Sequence, residues 1–323
     1  MNELQFAVPT LFGLEGIAGD ELRRLNIENV QVENGRVLFS GDETALARAN
    51  LNLRTGERVL LILAEFEAKT FEQLFQGVYR TNLEDFIPKN GEFPVKGHCL
   101  NSTLMSVPDC QAIVKKAASK RLGEQYGISW LPEDGEKYQL QFAIMNDRVT
   151  LYLDTSGVGL HKRGYRAIGN DAPLRETLAA AMVMLTKYRG RDFVWDPFCG
   201  SGTICIEAAL IAKNRAPGLR RRFAAEKFAW MDEKNLAECP RRSHGQGIQG
   251  RLPHFRLRQR PQMRVPGHGQ CPQGRGRRDH HLPGRRCHQN EPAVRHRRDH
   301  LQPALRTAHG RAEGSPAAVH RYG

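Results

Sequence analysis

The chain runs through two hydrophobic periods in turn and then loses both. An every-other-residue apolar pattern at Leu4–Val8 predicts a strand, and a helical spacing over Leu14–Leu25 predicts a helix. Two strand-like runs follow, Val30–Glu33 and Arg36–Ser40, around Asn34-Gly35, a pair suited to a tight hairpin turn. Asp42 is placed to cap a helix reaching Leu51, and Arg58–Phe66 is a strongly apolar strand. A second series predicts a helix at Phe71–Tyr79, a strand at Phe93–Leu100, a helix at Asp109–Tyr126, and paired strands at Tyr138–Met145 and Val149–Asp154 around Asn146-Asp147. Beyond His161-Lys162-Arg163-Gly164-Tyr165-Arg166 a third series starts. Asp171-Ala172-Pro173 opens a helix over Leu174–Lys187 with Pro173 in its first turn, Asp192–Trp195 reads as a short buried strand, and Ile204–Ala212 as an apolar helix. From residue 239 to 323 neither period is present.

The first β-α-β-β-α-β order fits a ferredoxin-like α+β unit over residues 1–66, and the second series forms another α+β unit over 67–158. Strand, glycine loop and helix within 159–238 are the start of a doubly wound, Rossmann-like α/β domain. Residues 239–323 are expected to be a disordered tail, since they have too little apolar content to offset chain entropy. No apolar run approaches the ~20 residues of a bilayer span, and the first residues lack the basic start and apolar stretch of a signal peptide. The expectation is a soluble, cytoplasmic protein with no membrane partner. The seven cysteines form neither a disulfide framework nor a Cys-x-x-Cys pattern, so reduced thiols and no metal are expected. His280, His281, Cys287 and His288 suggest a metal site only in outline, because no matched ligand pair on a folded element accompanies them.

Charge changes this picture. The whole chain is +13, which suggests a polyanion binder, but the excess is local. Residues 239–323 hold 18 Arg, no Lys and four acids, net +14, with 10 of the 12 His; residues 1–238 hold 30 basic and 31 acidic side chains, net −1. Overall charge therefore says nothing about function. Within 1–238, the best surface for an anionic partner combines Lys115, Lys116, Lys120 and Arg121 on the helix after Pro108 with Lys96 and His98 on the preceding strand. The competing reading is a solvated helix face.

The chemistry-bearing motif is Asp196-Pro197-Phe198-Cys199-Gly200-Ser201-Gly202-Thr203, between the predicted strand and apolar helix. Gly200 and Gly202 lack the Cβ atoms that would keep a ligand from the backbone, and the amides of the helix start face such a ligand. Asp196 is placed to accept hydrogen bonds from an ammonium group, and Thr203 to cap the helix. The Gly-Lys-[Ser/Thr] ending of a phosphate loop is absent. This string, together with Gly164-Tyr165-Arg166, Ala172–Ala179 and Arg221-Arg222-Phe223-Ala224, resembles the THUMP-domain S-adenosylmethionine-dependent RNA methyltransferases. The resemblance is nearest to the guanine-N2 enzymes of large-subunit ribosomal RNA, whose members are often labelled DNA adenine methylases, and it covers residues 1–238. It implies RNA binding through residues 70–155, with ribosomal RNA as partner. It also implies S-adenosylmethionine as cofactor, held at its methionine end by Asp196–Thr203, with Glu207 either supporting the loop or lying on the helix surface.

The same resemblance implies an Asn-Pro-Pro-Tyr loop that holds the target amine, and residues 204–323 contain none. The lone pair of an exocyclic guanine amine is delocalised into the ring. The Asn oxygen and a Pro carbonyl would orient it, and the Tyr would stack on the extruded base. Codons for Leu301–Thr307 can be chosen so that reading one nucleotide later gives Cys-Asn-Pro-Pro-Tyr-Gly. The same shift turns Phe255–Gln262 into an acidic ribose motif and Gly284–Cys287 into Val-Ala-Asp-Ala, in the family's order. The expectation is a frameshift between Met231 and Cys239, leaving a truncated, inactive relative of a methyltransferase. Two alternatives are a non-enzymatic RNA-binding protein using a genuine basic tail, and a DNA adenine methylase, since Asn-Pro-Pro-Tyr serves amines of either base.

Overall fold

The computed structural model describes residues 3–166 and 174–231. The tail 239–323, with the frameshift and metal readings that fall on it, and Asp171-Ala172-Pro173 lie outside the described residues.

The first unit is β1 (Leu4–Pro9), α1 (Glu15–Arg24), β2 (Gln31–Glu33), β3 (Arg36–Gly41), α2 (Glu43–Asn52) and β4 (Leu60–Glu67), the β-α-β-β-α-β order expected. Local chemistry sets its boundaries. The Asp42 carboxylate accepts from the Ala45 amide at 2.7 Å, an N-cap worth about 1 kcal/mol, and Gly35 takes φ +78° in the hairpin turn. The second unit is α3 (Phe71–Tyr79), β5 (Val95–Leu100), α4 (Val107–Tyr126), β6 (Leu140–Met145) and β7 (Arg148–Asp154). Thr70 and Gln73 form a reciprocal capping box at the start of α3, and Asn146 and Asp147 both adopt positive φ in the β6–β7 turn.

The two units share one seven-stranded sheet of order β2-β3-β1-β4-β7-β6-β5. The seam is the antiparallel pairing of β4 with β7, from Leu60↔Asp154 to Glu67↔Arg148, with a bulge between Ile62 and Ala64. The β5–β6 pair is parallel, which demands a crossover, and α4 supplies it. The main core gathers Phe6, Phe39, Leu61, Phe142 and Leu151 with Leu22, Leu46, Leu74 and Val114 of the helices, so α1–α4 cover one sheet face. Phe6 and Phe39 stack with centroids 4.9 Å apart.

The third segment contributes α5 (Glu176–Leu185) and α6 (Thr203–Ala212), which pack on each other. The strand expected at Asp192–Trp195 is reduced to a single bridge residue, Trp195, and Phe193 and Trp195 are exposed. A buried parallel strand needs neighbours on both edges, and no described strand lies beside this one. Arg221 ties the segment back by donating to the carbonyls of Gly159 at 2.6 Å and Ser156 at 3.2 Å and to that of Val158.

Candidate functional site

The glycine loop forms a closed turn ahead of α6. The Gly202 amide donates to the Cys199 carbonyl at 2.7 Å, and Gly200 and Gly202 take φ +51° and +75°, the left-handed region that suits glycine. Gly202 is the N-cap of α6 and supplies no side-chain cap, so the first-turn amides of a largely apolar helix have no side-chain acceptor at the cap. Asp196 accepts from the Phe198 amide at 3.1 Å, which bends the chain into the turn. The Phe198 ring is 92% exposed, and Pro197, Gly200 and Ser201 are also at the surface, while Cys199 is half-buried.

Thr203 does not cap the helix. It is the first helical residue, is buried, and its hydroxyl receives the Arg166 guanidinium and lies 3.1 Å from the Ser201 hydroxyl. The expected role fails because the turn ends at Gly202, one residue too early for a threonine cap. Arg166 also reaches Glu176 at the start of α5, 3.1 Å away.

Glu207, one turn into α6, is fully buried and is not a helix-surface carboxylate. It accepts from the Tyr165 hydroxyl at 3.0 Å and lies 3.7 Å from the Arg163 Nε. Burial pushes its carboxyl above the ordinary glutamate range against the pull of Arg163, and burial likewise raises the Tyr165 phenol. Arg163 in turn donates to the carbonyls of Leu160 at 2.7 Å, Leu53 at 3.4 Å and Arg54, and Arg54 donates to the Arg215 carbonyl at 2.8 Å. The buried Glu21 carboxylate accepts from the Arg54 and Thr55 amides at 2.9 and 3.0 Å. A polar path therefore runs from α1 to Glu207 of α6, the helix that follows the glycine loop. Arg163 and Tyr165 stand in the His161–Arg166 segment with no sequence signal that they converge on Glu207, and nothing in the sequence singles out Arg54.

The six basic residues proposed for an anionic partner are not gathered on one track. Cys99 of β5 faces Cys110 of α4, with sulfurs 3.9 Å apart, so the alternating, exposed Lys96 and His98 lie on the sheet face away from α4. On α4, Lys115 is engaged by Glu133 at 2.6 Å and stands 3.4 Å from the Phe93 ring centroid, and Arg121 is paired with Glu84 and with Asn82 at 3.0 Å. Lys116 is exposed, and Lys120 is half-exposed above Phe75 and Tyr79, 3.9 Å from Glu124. Local sequence cannot show that acids from distant segments take up Lys115 and Arg121. Among the described residues no cluster of His, Cys, Asp and Glu is suited to a metal, and no helix is long and apolar enough to cross a membrane.

Comparison with known proteins matches three family profiles along the chain: the RlmL ferredoxin-like domain over residues 5–60, the THUMP domain over 68–154, and the RMKL-like methyltransferase domain over 163–258. The last runs past the 238 boundary read from composition. "Putative RNA methyltransferase YpsC" of Bacillus subtilis (strain 168) is 50% identical over 222 residues, 68% of this chain and 57% of that protein. Ribosomal RNA large subunit methyltransferase K/L of Psychromonas ingrahamii is 34% identical over 72% of this chain and 31% of its own. The chain thus spans little more than half of the first relative and a third of the second. Among solved structures, a "predicted N6-adenine-specific DNA methylase from Listeria monocytogenes" superposes with TM-score 0.71 at 48% identity, covering 74% of this chain and 63% of that one. "SMU.472, a putative methyltransferase complexed with SAH" gives 0.70 at 40%, with the same coverage.

Proposed function

The chain carries an RlmL-type ferredoxin-like domain, a THUMP domain and an RMKL-like methyltransferase domain, and on that footing we propose that it descends from an S-adenosylmethionine-dependent RNA methyltransferase acting on guanine N2 of large-subunit ribosomal RNA. The observation that carries this reading is the turn Cys199–Gly202, with two left-handed glycines ahead of an α6 that has no side-chain cap. The residues fit the amino-acid end of the cofactor. The open backbone of Phe198–Gly202 gives it room, the first amides of α6 suit its carboxylate, and Asp196 suits its ammonium group. The SAH found in the solved relative SMU.472 supports the same ligand class. When bound, the cofactor supplies an electrophilic methyl on sulfur; this chain's residues hold and orient it.

Transfer itself needs the Asn-Pro-Pro-Tyr loop, which this chain lacks. We attribute the loss to a one-nucleotide shift that also produced the Arg-rich, Lys-free tail, and read the chain as inactive. Coverage of 68–75% of this chain by its relatives agrees with a segment foreign to them. Sequencing the gene across codons 231–258 tests this: the missing loop must reappear in an open frame once one base is restored.

A second reading, a DNA adenine methylase, is favoured by the Listeria structure's description, while the THUMP match favours RNA. Digesting labelled products of the frame-restored chain to nucleosides, after offering it both large-subunit ribosomal RNA and duplex DNA, separates them. N2-methylguanosine in RNA is expected, and N6-methyladenine in DNA would overturn the assignment.

A further inference from the structure

We propose that Arg166 is a positioning residue for the glycine loop, and that residues 163–166 are a strap through which the N-terminal sheet sets the loop's conformation. The proposal rests on the cofactor reading of residues 196–203.

Arg166 is the one side chain joining the loop, the first turn of α6 and the start of α5 among the described contacts. Its guanidinium donates to the Thr203 hydroxyl and, at 3.4 Å, to that of Ser201, and it pairs with Glu176 at 3.1 Å. The arginine is largely buried, with 19% of its side chain exposed, so these bonds are screened little by solvent. A planar fork with several donors suits one residue to hold three acceptors in fixed relation. Gly202 gives α6 no side-chain cap, and Arg166 adds a clamp from outside to the loop's own Gly202–Cys199 and Ser201–Thr203 contacts at this junction.

The strap is anchored at its other end. Arg163 is 2% exposed, and its guanidinium donates to carbonyls of Leu53 and Arg54, directly after α2, while its Nε faces Glu207 of α6. Tyr165 adds a second bond to Glu207. Within this cluster Arg54 Nη1, Arg163 Nε and Glu207 Oε2 are buried without a hydrogen-bond partner, and the bonds of Arg163 to the Leu53, Arg54 and Leu160 carbonyls and of Tyr165 to Glu207 hold it together. Between the two anchors, Gly164 has φ +82°, and a Cβ there would stand 2.4 Å from the Arg220 carbonyl oxygen. The strap can follow this path only with glycine at that position. Residues that touch the loop and residues that touch the N-terminal unit are thus separated by two positions of chain, which makes displacement of one end costly to the other.

The test is hydrogen exchange by mass spectrometry on the 323-residue chain and on Arg166→Ala, Arg166→Lys and Gly164→Ala, with Arg175→Ala as an exposed control. It is followed by calorimetric titration of each with S-adenosylhomocysteine. Arg166→Ala and Gly164→Ala are expected to speed exchange across 199–206 while peptides of α1–α4 keep parent rates, and to weaken S-adenosylhomocysteine by roughly tenfold or more, the scale of one lost charge-assisted hydrogen bond. Arg166→Lys, which keeps a charge but not the fork, should fall between. Parent-like exchange over 199–206 in Arg166→Ala, or parent-like affinity, would overturn the proposal, as would equal acceleration across α1–α4. If neither the 323-residue chain nor its frame-restored counterpart takes up S-adenosylhomocysteine, the cofactor reading is contradicted instead, and the exchange comparison then decides the strap by itself.

Discussion

Arg163 and Glu207 face each other in the interior, Nε 3.7 Å from Oε1, one from the segment leaving the N-terminal sheet and the other from the helix behind the glycine loop. The pair ties the stability of the fold to the protonation of one carboxyl group. Burial raises Glu207 from its ordinary 4.5, so the folded state holds this proton more tightly than the unfolded chain does. The stability linked to it is full below the unfolded value and is lost as pH rises through the raised one. Urea midpoints of the parent should therefore fall relative to Glu207→Gln as pH rises from the ordinary glutamate range through the raised value. Parallel pH profiles for the two proteins would remove Glu207 from this role.

Asp154 is a buried carboxylate whose loss should be severe. It is paired with Arg58 at 2.5 Å and accepts from the Ser156 and Gly157 amides at 3.0 Å each and from Gln141 at 2.9 Å. Asp154→Ala strands these donors and a partly buried guanidinium, and should lower unfolding free energy by about 3–5 kcal/mol, read from chemical denaturation. A change within about 0.5 kcal/mol, typical of surface sites, would show that solvent replaces the network.

Both units should unfold as one body, because β4 and β7 are neighbours in a single sheet. Residues 67–158 expressed alone would bare the β7 edge and the apolar residues that Leu61 covers, and are expected to aggregate or remain unfolded. Residues 1–166 should give one denaturation transition seen alike by far-ultraviolet circular dichroism and by the near-ultraviolet signal of the buried Tyr138 and Phe residues. Two separate transitions would contradict the shared sheet.

How much of this was legible beforehand follows from how local each cause is. Asp42, Asn34-Gly35 and Asn146-Asp147 act on backbone within a few residues, so their cap and turns could be read directly. The partners of Glu207 lie more than forty residues upstream, and no spacing rule connects them. For the same reason Lys115 and Arg121 read as available cations although Glu133 and Glu84 engage them. At 192–195 an apolar run specifies burial but not its neighbouring strands, and among the described residues only Trp195 of this run makes a bridge.

RNA affinity should divide the six basic residues accordingly. Lys96→Ala and Lys116→Ala, at exposed positions on opposite sides of the sheet, should each lower the slope of log affinity against log salt by about one if they touch phosphate. Lys115→Ala and Arg121→Ala should instead lower stability and leave that slope near the parent's. Fluorescence anisotropy with a labelled ribosomal RNA fragment over a salt series makes the comparison, and the reverse pattern would return the binding surface to the α4 pairs.

The most direct test of the account is transfer of labelled methyl groups from S-adenosylmethionine to protein-free large-subunit ribosomal RNA, by the 323-residue chain and by its frame-restored counterpart side by side. The account predicts incorporation by the restored protein alone, abolished there by Gly202→Val. Incorporation by the 323-residue chain, or none by the restored one, would contradict it.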